Sequence, residues 1–543
     1  MNDISKEVKV MNMNEVMEWD KIDSFTPETE EESAFMVFVP KEKLQDPEVI
    51  QARKKQMNDW KKFEAYEEVK DEGQERIKGG WIDVYKEIDG KISVKSRFVA
   101  RGYMETEEIR SDSPTVSKTN IKVAAIVAAK NDWRLEKKDY RSAFLQGEEL
   151  DRELYMDPPP EEKKEGIIWK LKKAVYGLND ASRRWWMKCS NELLALGCER
   201  STYDPAFFIL FKDQVLSGVV CLHVDDELGA GNESFKTEVW DKLDERMAVG
   251  TTDKDDVISY VGLQVNHTDS CITLDQQHYV EKLECISKEE VKKCTETGRN
   301  EEIVNELGQS LFRSKVGGLN WLATQTRPDV AYEVSEFSSC FKKATLKNLK
   351  DVNKCIRRLK TEDVYIKFPK LVGDPSTWKI IAYSDGAFAN LPDGVSSSGG
   401  HILFLVDTLG NSAVLKWAVN KIQRVVRSPL ASETLTMQEA IGDVIFSREG
   451  LREVFGEGVD QMKIRIVIDS RSLRDAVYST LQVDDKMLRI NIAAIKQLVE
   501  KYEIEVVWKK GSQMIADALS KKQTKKNVLL EAVQSGRISS DLY

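Results

Sequence analysis

Residues 219–231 read Val219-Val220-Cys221-Leu222-His223-Val224-Asp225-Asp226-Glu227-Leu228-Gly229-Ala230-Gly231. Val219, Val220, Leu222 and Val224 favour a strand. Asp225 and Asp226 fall where a tight hairpin would turn, and Leu228 restarts the apolar pattern. Adjacent carboxylates beside buried strands are costly, because like charges repel and desolvation disfavours the charged form. A divalent cation removes that cost, so the pair points to a Mg2+ or Mn2+ site. The plainer alternative is an ordinary hairpin with a polar turn, and the rest of the chain decides between the two.

The 543 residues exceed what one core can organise and imply several domains. Charged residues make up 32% and hydrophobic ones 41%, as in soluble globular chains. No apolar run approaches the roughly 20 residues that span a bilayer, so no membrane partner is expected. The first residues carry no signal-peptide pattern. Eight scattered cysteines without a CxxC are expected to be free thiols in a reducing compartment. The net charge of −10 is concentrated at the front: residues 1–50 hold 13 acidic and 5 basic side chains. Basic clusters lie in the near-neutral remainder, at Lys170/Lys172/Lys173, Arg183/Arg184, Arg357/Arg358/Lys360 and Lys521/Lys522/Lys525/Lys526. Such patches can hold a phosphate backbone, whereas each alone also reads as a solvated helix face.

Along the chain, residues 1–33 are acidic and expected to be flexible. A helix is expected from about Ala34 to Glu72. A hairpin is expected over 80–103 with Asp89-Gly90 as its turn. An Ala/Val-rich helix follows at 120–130, then a strand leading to Asp139, a strand from Trp169 to Tyr176, and a helix from about Ala181 to Leu196. Residues 270–370 read as mostly helical. After Gly373-Asp374-Pro375 the texture changes to three strands, a helix near 432–455, a strand at Lys463–Ile468, further helices and a last strand at Ile504–Trp508. That order is an α/β layer.

Asp139 sits in Lys138-Asp139-Tyr140-Arg141, after a strand-like run. With Asp225 and Asp226 it could complete three carboxylates on neighbouring strands. Two divalent ions, spaced roughly 3.5–4 Å apart, need such a cluster to stabilise the attacking and leaving oxygens of phosphoryl transfer. This chemistry is mostly positioning and charge neutralisation.

These segments resemble the reverse transcriptase of copia-type (Pseudoviridae) long-terminal-repeat retrotransposons. Lys95–Tyr103 is similar to that family's fingers hairpin, and Trp133–Gly147 to its first catalytic motif. Glu153–Pro160 and Trp169–Leu178 follow in the family order. His223-Val224-Asp225-Asp226 stands where the family has an aromatic-x-Asp-Asp box. Tyr260–Val265 resembles the hairpin that grips the primer end, and Phe312–Leu319 and Thr326–Tyr332 continue the match. The resemblance implies that Asp139, Asp225 and Asp226 hold the metals. It implies that Phe144 is a steric gate against a ribonucleotide 2′-hydroxyl, although a core Phe is the alternative there. Arg97, Arg101 and, less directly, Lys95 would clamp the triphosphate, Arg being suited to bidentate phosphate contacts. Gly177 would let backbone approach the nucleotide. His223, Tyr260 and Gly262 would touch the primer, with His223 replacing the usual Tyr or Phe.

Four acidic residues recur after the texture change. Asp385 and Asp469 end strands, and Glu433 and Asp517 open helices, so all four can converge on one sheet edge. There they could bind two Mg2+ ions and cut a phosphodiester. Tyr383–Phe388, Ser396–Gly400, Leu415–Trp417, Ser432–Ala440 and Ala516–Lys522 resemble, in order, the family's ribonuclease H domain. Glu433 rather than Glu439 aligns with its catalytic glutamate. The histidine often found before the last aspartate is absent, and Trp508 lies near its place. Tyr383, Trp417 and Lys421 are candidates to face nucleic acid, with core packing or solvent exposure the alternative. His267, Cys271, His278 and Cys285 fit no common zinc spacing.

The fold expected is therefore an α+β / α/β multidomain chain, a right-hand polymerase followed by a ribonuclease H-like α/β domain. The expected divisions are an acidic segment 1–33, fingers and palm 34–268, thumb and connection 269–372, the ribonuclease H-like domain 373–525 and a tail 526–543. The resemblance implies an RNA-dependent DNA polymerase with hybrid ribonuclease activity, using Mg2+ (or Mn2+) as two ions per active site. Its partners would be an RNA template, a DNA or tRNA-type primer, dNTPs, the RNA–DNA hybrid and other parts of the same polyprotein. The chain would be the C-terminal part of that polyprotein, without protease or integrase. Cytoplasmic virus-like particles are the expected location, with the nucleus as the alternative. The rival is a domesticated copy that binds nucleic acid without catalysis, against which all seven carboxylates speak.

Overall fold

The computed structural model describes residues 37–88, 91–268, 270–480, 483–522 and 527–541. The acidic segment 1–33, the Asp89-Gly90 turn and Lys525/Lys526 lie outside the described residues. The chain divides into two compact units, one built from residues up to Val116 with Glu136–Asp253, the other from Ser117–Leu135 with Lys254 onward.

In the first unit a long hairpin, Gly79–Ile88 against Lys91–Ala100, runs in unbroken antiparallel register from Gly79↔Ala100 to Ile88↔Lys91. The helix expected over 34–72 is shorter, Pro47–Lys62, and the chain then turns into a strand at Tyr66–Lys70. Pro47 occupies the first turn, where its missing N–H costs nothing. Glu64 takes φ 51, which ends the helix. Long-range aromatic packing then overrides helix propensity. Tyr66 stacks on Trp169 at 3.8 Å between centroids, and Trp60 packs on both Trp169 and Phe98. The strand expected over Trp169–Tyr176 lies earlier, at Ile167–Leu171, because its register with Tyr66–Lys70 is fixed by that stack.

A six-stranded sheet follows in the order 249–253, 135–140, 226–231, 215–223, 207–212, 199–200. The helix Ala181–Ala195 belongs to the same unit, with Trp185 and Cys189 fully buried. Several residues of the basic clusters are committed to ion pairs here. Arg184 meets Asp180 at 2.7 Å, and Lys170 meets Glu153 at 2.6 Å.

The second unit contains a four-stranded antiparallel sheet, 257–260, 263–268, 271–275 and 366–369. Helices Glu306–Gln325, Ala331–Ser339 and Leu346–Leu359 lie between its last two strands in sequence. A five-stranded sheet comes next, in the spatial order 412–421, 398–406, 379–387, 463–468, 505–508. Its first three strands are antiparallel, and the last two run parallel to the central one. Helix Pro429–Phe455 makes the crossover that a parallel pair requires. All eight cysteines are free thiols. Among the described residues no helix is long and apolar enough to cross a membrane.

Helix Lys118–Asn131 also belongs to this unit, opened by the Ser117 side chain accepting from Asn120 N. It buries Lys122, whose Nζ lies 4.4 Å from the centroid of the Trp417 ring. Burial, and then Lys118 and Lys416, push the Lys122 ammonium down to about 7. The folded state therefore disfavours the proton that the unfolded chain keeps up to about 10.5. The cost is full below about pH 7 and fades as pH rises towards 10.5. Lys122→Met is expected to stabilise the protein by roughly 2 kcal/mol near pH 6, net of the lost cation–π contact, with the gain shrinking at pH 10. Denaturant unfolding at the two pH values measures it, and equal gains at both would contradict the assignment.

Candidate active sites

In the sheet of the first unit Asp139 and Asp226 lie on neighbouring strands with Asp225 in the turn just before Asp226, but the three do not form a group of ligand atoms within 4.8 Å of one another. Asp139 lies on strand Leu135–Tyr140, which neighbours Asp226–Gly231 in the sheet. Tyr140 N donates to the Asp225 carbonyl at 3.3 Å. Asp226 pairs with His223 across the Val224-Asp225 turn. Val224 has φ 51, an unusual conformation for a β-branched residue of the kind that clusters at functional sites. Its carbonyl accepts from the buried Trp185 Nε1 at 2.6 Å, which pins the turn. Lys137, two residues before Asp139 and so on the same strand face, places Nζ 2.9 Å from Asp226. Beneath them Tyr140 Oη donates to Glu227 at 2.6 Å. Burial pushes the Glu227 carboxyl up to about 7.

The nucleotide-side candidates fall into two groups. Arg97 is buried with its guanidinium carbon 5.5 Å from the Tyr176 ring centroid, and Phe144 meets the same ring edge-on at 5.1 Å. Tyr176 thus joins Arg97 to Phe144, a role that no local sequence signal announces. Lys95 and Arg101 are half-buried on and just after the same strand. Gly177, at φ 90, makes its close approach to protein backbone: an added Cβ would lie 2.1 Å from the Ala100 carbonyl oxygen. Gly177→Ala is expected to cost 2 kcal/mol or more, roughly, from strain and displacement of the hairpin. Urea unfolding measures it, and a change within experimental error would contradict the tight fit.

The primer-side candidates are spread over both units. His223 is half-buried at the end of its strand. In the second unit Tyr260 and Leu263 pair across a two-residue turn, Val261 at φ 49 and Gly262 at φ 66. The Tyr260 side chain is fully buried, so the half-buried Val261 is the more accessible part of this turn.

The second carboxylate set follows from the register of the five-stranded sheet. Tyr383 pairs in parallel with Val467, so two residues further on Asp385 and Asp469 reach the same edge. Gly386 has no room for a Cβ, which would lie 2.6 Å from the Ser432 backbone. Helix Pro429–Phe455 therefore seats its first turn on the central strand and delivers Glu433, which accepts from Gly386 N at 3.2 Å. Gly400, opposite Asp385, likewise leaves space for Leu519, and so brings helix Asp517–Ser520 over the edge.

Among the described residues, Asp385, Glu433 and Asp469 form the one group of three ligand-type side chains whose ligand atoms all lie within 4.8 Å of one another. Glu439 is exposed and outside it. Burial first, then Asp385 and Asp469, push Glu433 up to about 9. Burial and Asp385 also raise Asp469, and push Asp517 up to about 6. Such carboxyls fit a cation between them. Lys521 is the cation the chain itself supplies: its Nζ lies 3.0 Å from Asp385 and 3.1 Å from Asp517. Ser520 Oγ also donates to Asp385. Trp508 donates Nε1 to the Asp469 carbonyl at 2.8 Å, with Arg471 stacked 4.0 Å over its ring. Of the nucleic-acid candidates, Tyr383 is core, Trp417 is buried and donates to the Ala323 carbonyl at 2.7 Å, and Lys421 is exposed.

Residues 63–299 match the family of reverse transcriptases (RNA-dependent DNA polymerases). The chain is 28% identical over 369 residues to the Retrovirus-related Pol polyprotein from transposon RE1 of Arabidopsis thaliana, covering 65% of this chain and 24% of that protein. It is 25% identical over 513 residues to the Retrovirus-related Pol polyprotein from transposon TNT 1-94 of Nicotiana tabacum, covering 89% of this chain and 37% of that protein. The chain thus spans 24% and 37% of the lengths of these two relatives. A foamy viral protease-reverse transcriptase, solved in complex with double-stranded DNA, aligns over 85% of this chain and 69% of its own at TM-score 0.50 and 11% identity. That likeness, with the strand orders above, shows the fold: a right-hand polymerase followed by a ribonuclease H-like α/β layer.

Proposed function

Because the chain belongs to the copia-type retrotransposon Pol polyproteins and carries their reverse transcriptase domain, we propose that it copies RNA into DNA and cleaves the RNA of the resulting hybrid. The observation that supports this reading is the acidic group Asp385, Glu433 and Asp469 at the end of the five-stranded sheet, with Asp139 and Asp226 on neighbouring strands of the first unit's sheet. Asp139, Asp225 and Asp226 would hold Mg2+ or Mn2+ in the polymerase, and Asp385, Glu433, Asp469 and Asp517 would do so in the nuclease. Bound there, the ions neutralise phosphate charge and make a hydroxyl or water a competent nucleophile.

The chain's own residues do the rest. Arg97, Arg101 and Lys95 bind the triphosphate. Tyr176 contacts both Arg97 and, edge-on, Phe144, and the Phe144 ring would meet the sugar and exclude a 2′-hydroxyl. The strained Val224 turn, locked by Trp185, carries Asp225. His223 and the Tyr260–Gly262 turn are assigned to the primer end. On the nuclease side, Gly386 and Gly400 let two helices close on the strand ends, which brings Glu433 and Asp517 to the end of the sheet that carries Asp385 and Asp469. The hybrid would be recognised by its shape, phosphates and 2′-hydroxyls rather than by base edges. RNA template, DNA or tRNA-type primer and dNTPs are the proposed partners, within cytoplasmic virus-like particles.

The test is extension of a labelled DNA primer on an RNA template by the full chain, with release of RNA fragments followed in the same reaction. Mg2+-dependent extension and fragment release, both stopped by chelator, are expected. Folded chain that binds hybrid yet does neither with Mg2+ or Mn2+ would overturn the proposal.

A further inference from the structure

Lys521 follows a single-turn helix, Asp517–Ser520, and its backbone leaves that turn extended, at φ −135 and ψ 148. The side chain folds back over the turn. Its ammonium lies 3.1 Å from Asp517, 3.0 Å from Asp385 and 4.0 Å from Asp469. The backbone around it is held independently of this contact, since Lys521 N donates to the Asp517 carbonyl at 3.1 Å and Ser520 Oγ donates to Asp385. The side chain itself is 43% exposed.

Two cation positions are thereby distinguished in one acidic cluster. Asp385, Glu433 and Asp469 enclose the first. Asp385 and Asp517 share the second, and Lys521 fills it. Resting on the reading of this cluster as a metal nuclease, we propose that Lys521 is a positioning residue that guards the second cation position. One divalent ion binds beside it at Asp385, Glu433 and Asp469, and a second binds between Asp385 and Asp517 only when Lys521 swings out. An ammonium and a divalent ion cannot occupy the one position between Asp385 and Asp517 at the same time, because like charges that close repel strongly. The lysine also keeps Asp385 and Asp517 together without a second ion, so the acids stay preorganised.

The experiment is calorimetric titration of Mn2+ alone into the full chain, with Asp139, Asp225 and Asp226 changed to Asn to silence the other cluster. Lys521 chain is expected to take one ion with measurable affinity, Lys521→Met two, and Lys521→Arg, which keeps the charge, one. Lys521→Met combined with Asp517→Asn should return to one. Melting in chelator provides a second reading: Lys521→Met should melt lower than Lys521→Arg, and Mn2+ should restore it. If Lys521→Met does not fold without metal, Lys521→Gln is titrated in its place. The same ion count with and without the lysine overturns the proposal while leaving the nuclease reading intact. No ion in any variant overturns both.

Discussion

Asp225→Asn is expected to reduce Mg2+-dependent extension by roughly a thousandfold, equivalent to about 4 kcal/mol of transition-state stabilisation. Asn fills nearly the same volume, and the turn that carries it is fixed from outside: Trp185 Nε1 holds the Val224 carbonyl at 2.6 Å, and the Asp225 carbonyl accepts from Tyr140 N. The fold therefore survives, and melting temperature should move by no more than a degree or two, roughly what an exposed substitution does. What is lost is one full negative charge where metal and triphosphate must be balanced. Hybrid cleavage should stay within about twofold, because independent sites contribute additively. Primer extension and fragment release, read from one reaction, separate the two activities. Extension within tenfold of wild type would remove Asp225 from the metal set. Asp226 makes the weaker test, since Lys137 lies 2.9 Å from it and Asp226→Asn would strip that ammonium of a partner.

Asp225 and Asp226 stand out in the sequence because they interrupt an apolar run, whereas Asp139 follows the charged stretch Leu135-Glu136-Lys137-Lys138 and is picked out by the motif around it. Asp385 and Asp469 are legible as strand-end acids, and the three-strand, helix, strand pattern foretells the sheet that unites them. Glu433 is separable from Glu439 only by order of motifs; the structure supplies the cause, Gly386 receiving the helix's first turn. What the sequence does not disclose is the long-range partner. Lys521 reads as one of four basic residues in a run, yet it acts on Asp385, 136 residues away. Tyr176 reads as part of a turn, yet it joins Arg97 to Phe144. Gly177 signals a close approach without saying to what, and the partner is the Ala100 carbonyl. The helix over 34–72 is overlong in the sequence reading because aromatic packing through Trp169, a hundred residues on, converts Tyr66–Lys70 into strand.

Asp385→Asn is the complementary result: fragment release from the hybrid is expected to fall by about a thousandfold, again about 4 kcal/mol, with extension retained. Asp385 is the one acid common to both cation positions, fully buried and contacted by Ser520, Lys521 and, through Gly386, the Glu433 strand–helix junction. Burial first, and then the charge of Asp385, raise its acidic neighbours. After burial, Asp385 is the largest cause raising Glu433 from 4.5 to about 9. Because that folded value lies above the unfolded one, the unfolded chain gives up its proton first as pH rises. Stability contributed by protonated Glu433 is full below about pH 4.5 and is lost as pH climbs towards 9. Asp385→Asn removes the repulsion, lowers the folded value and should flatten the decline in melting temperature between pH 6 and 9, as added Mn2+ should do in the wild type. A variant that loses cleavage while keeping the wild-type slope would leave Asp385 catalytic but deny that it sets the charge of the cluster. A variant that keeps cleavage would deny the cluster its central ligand.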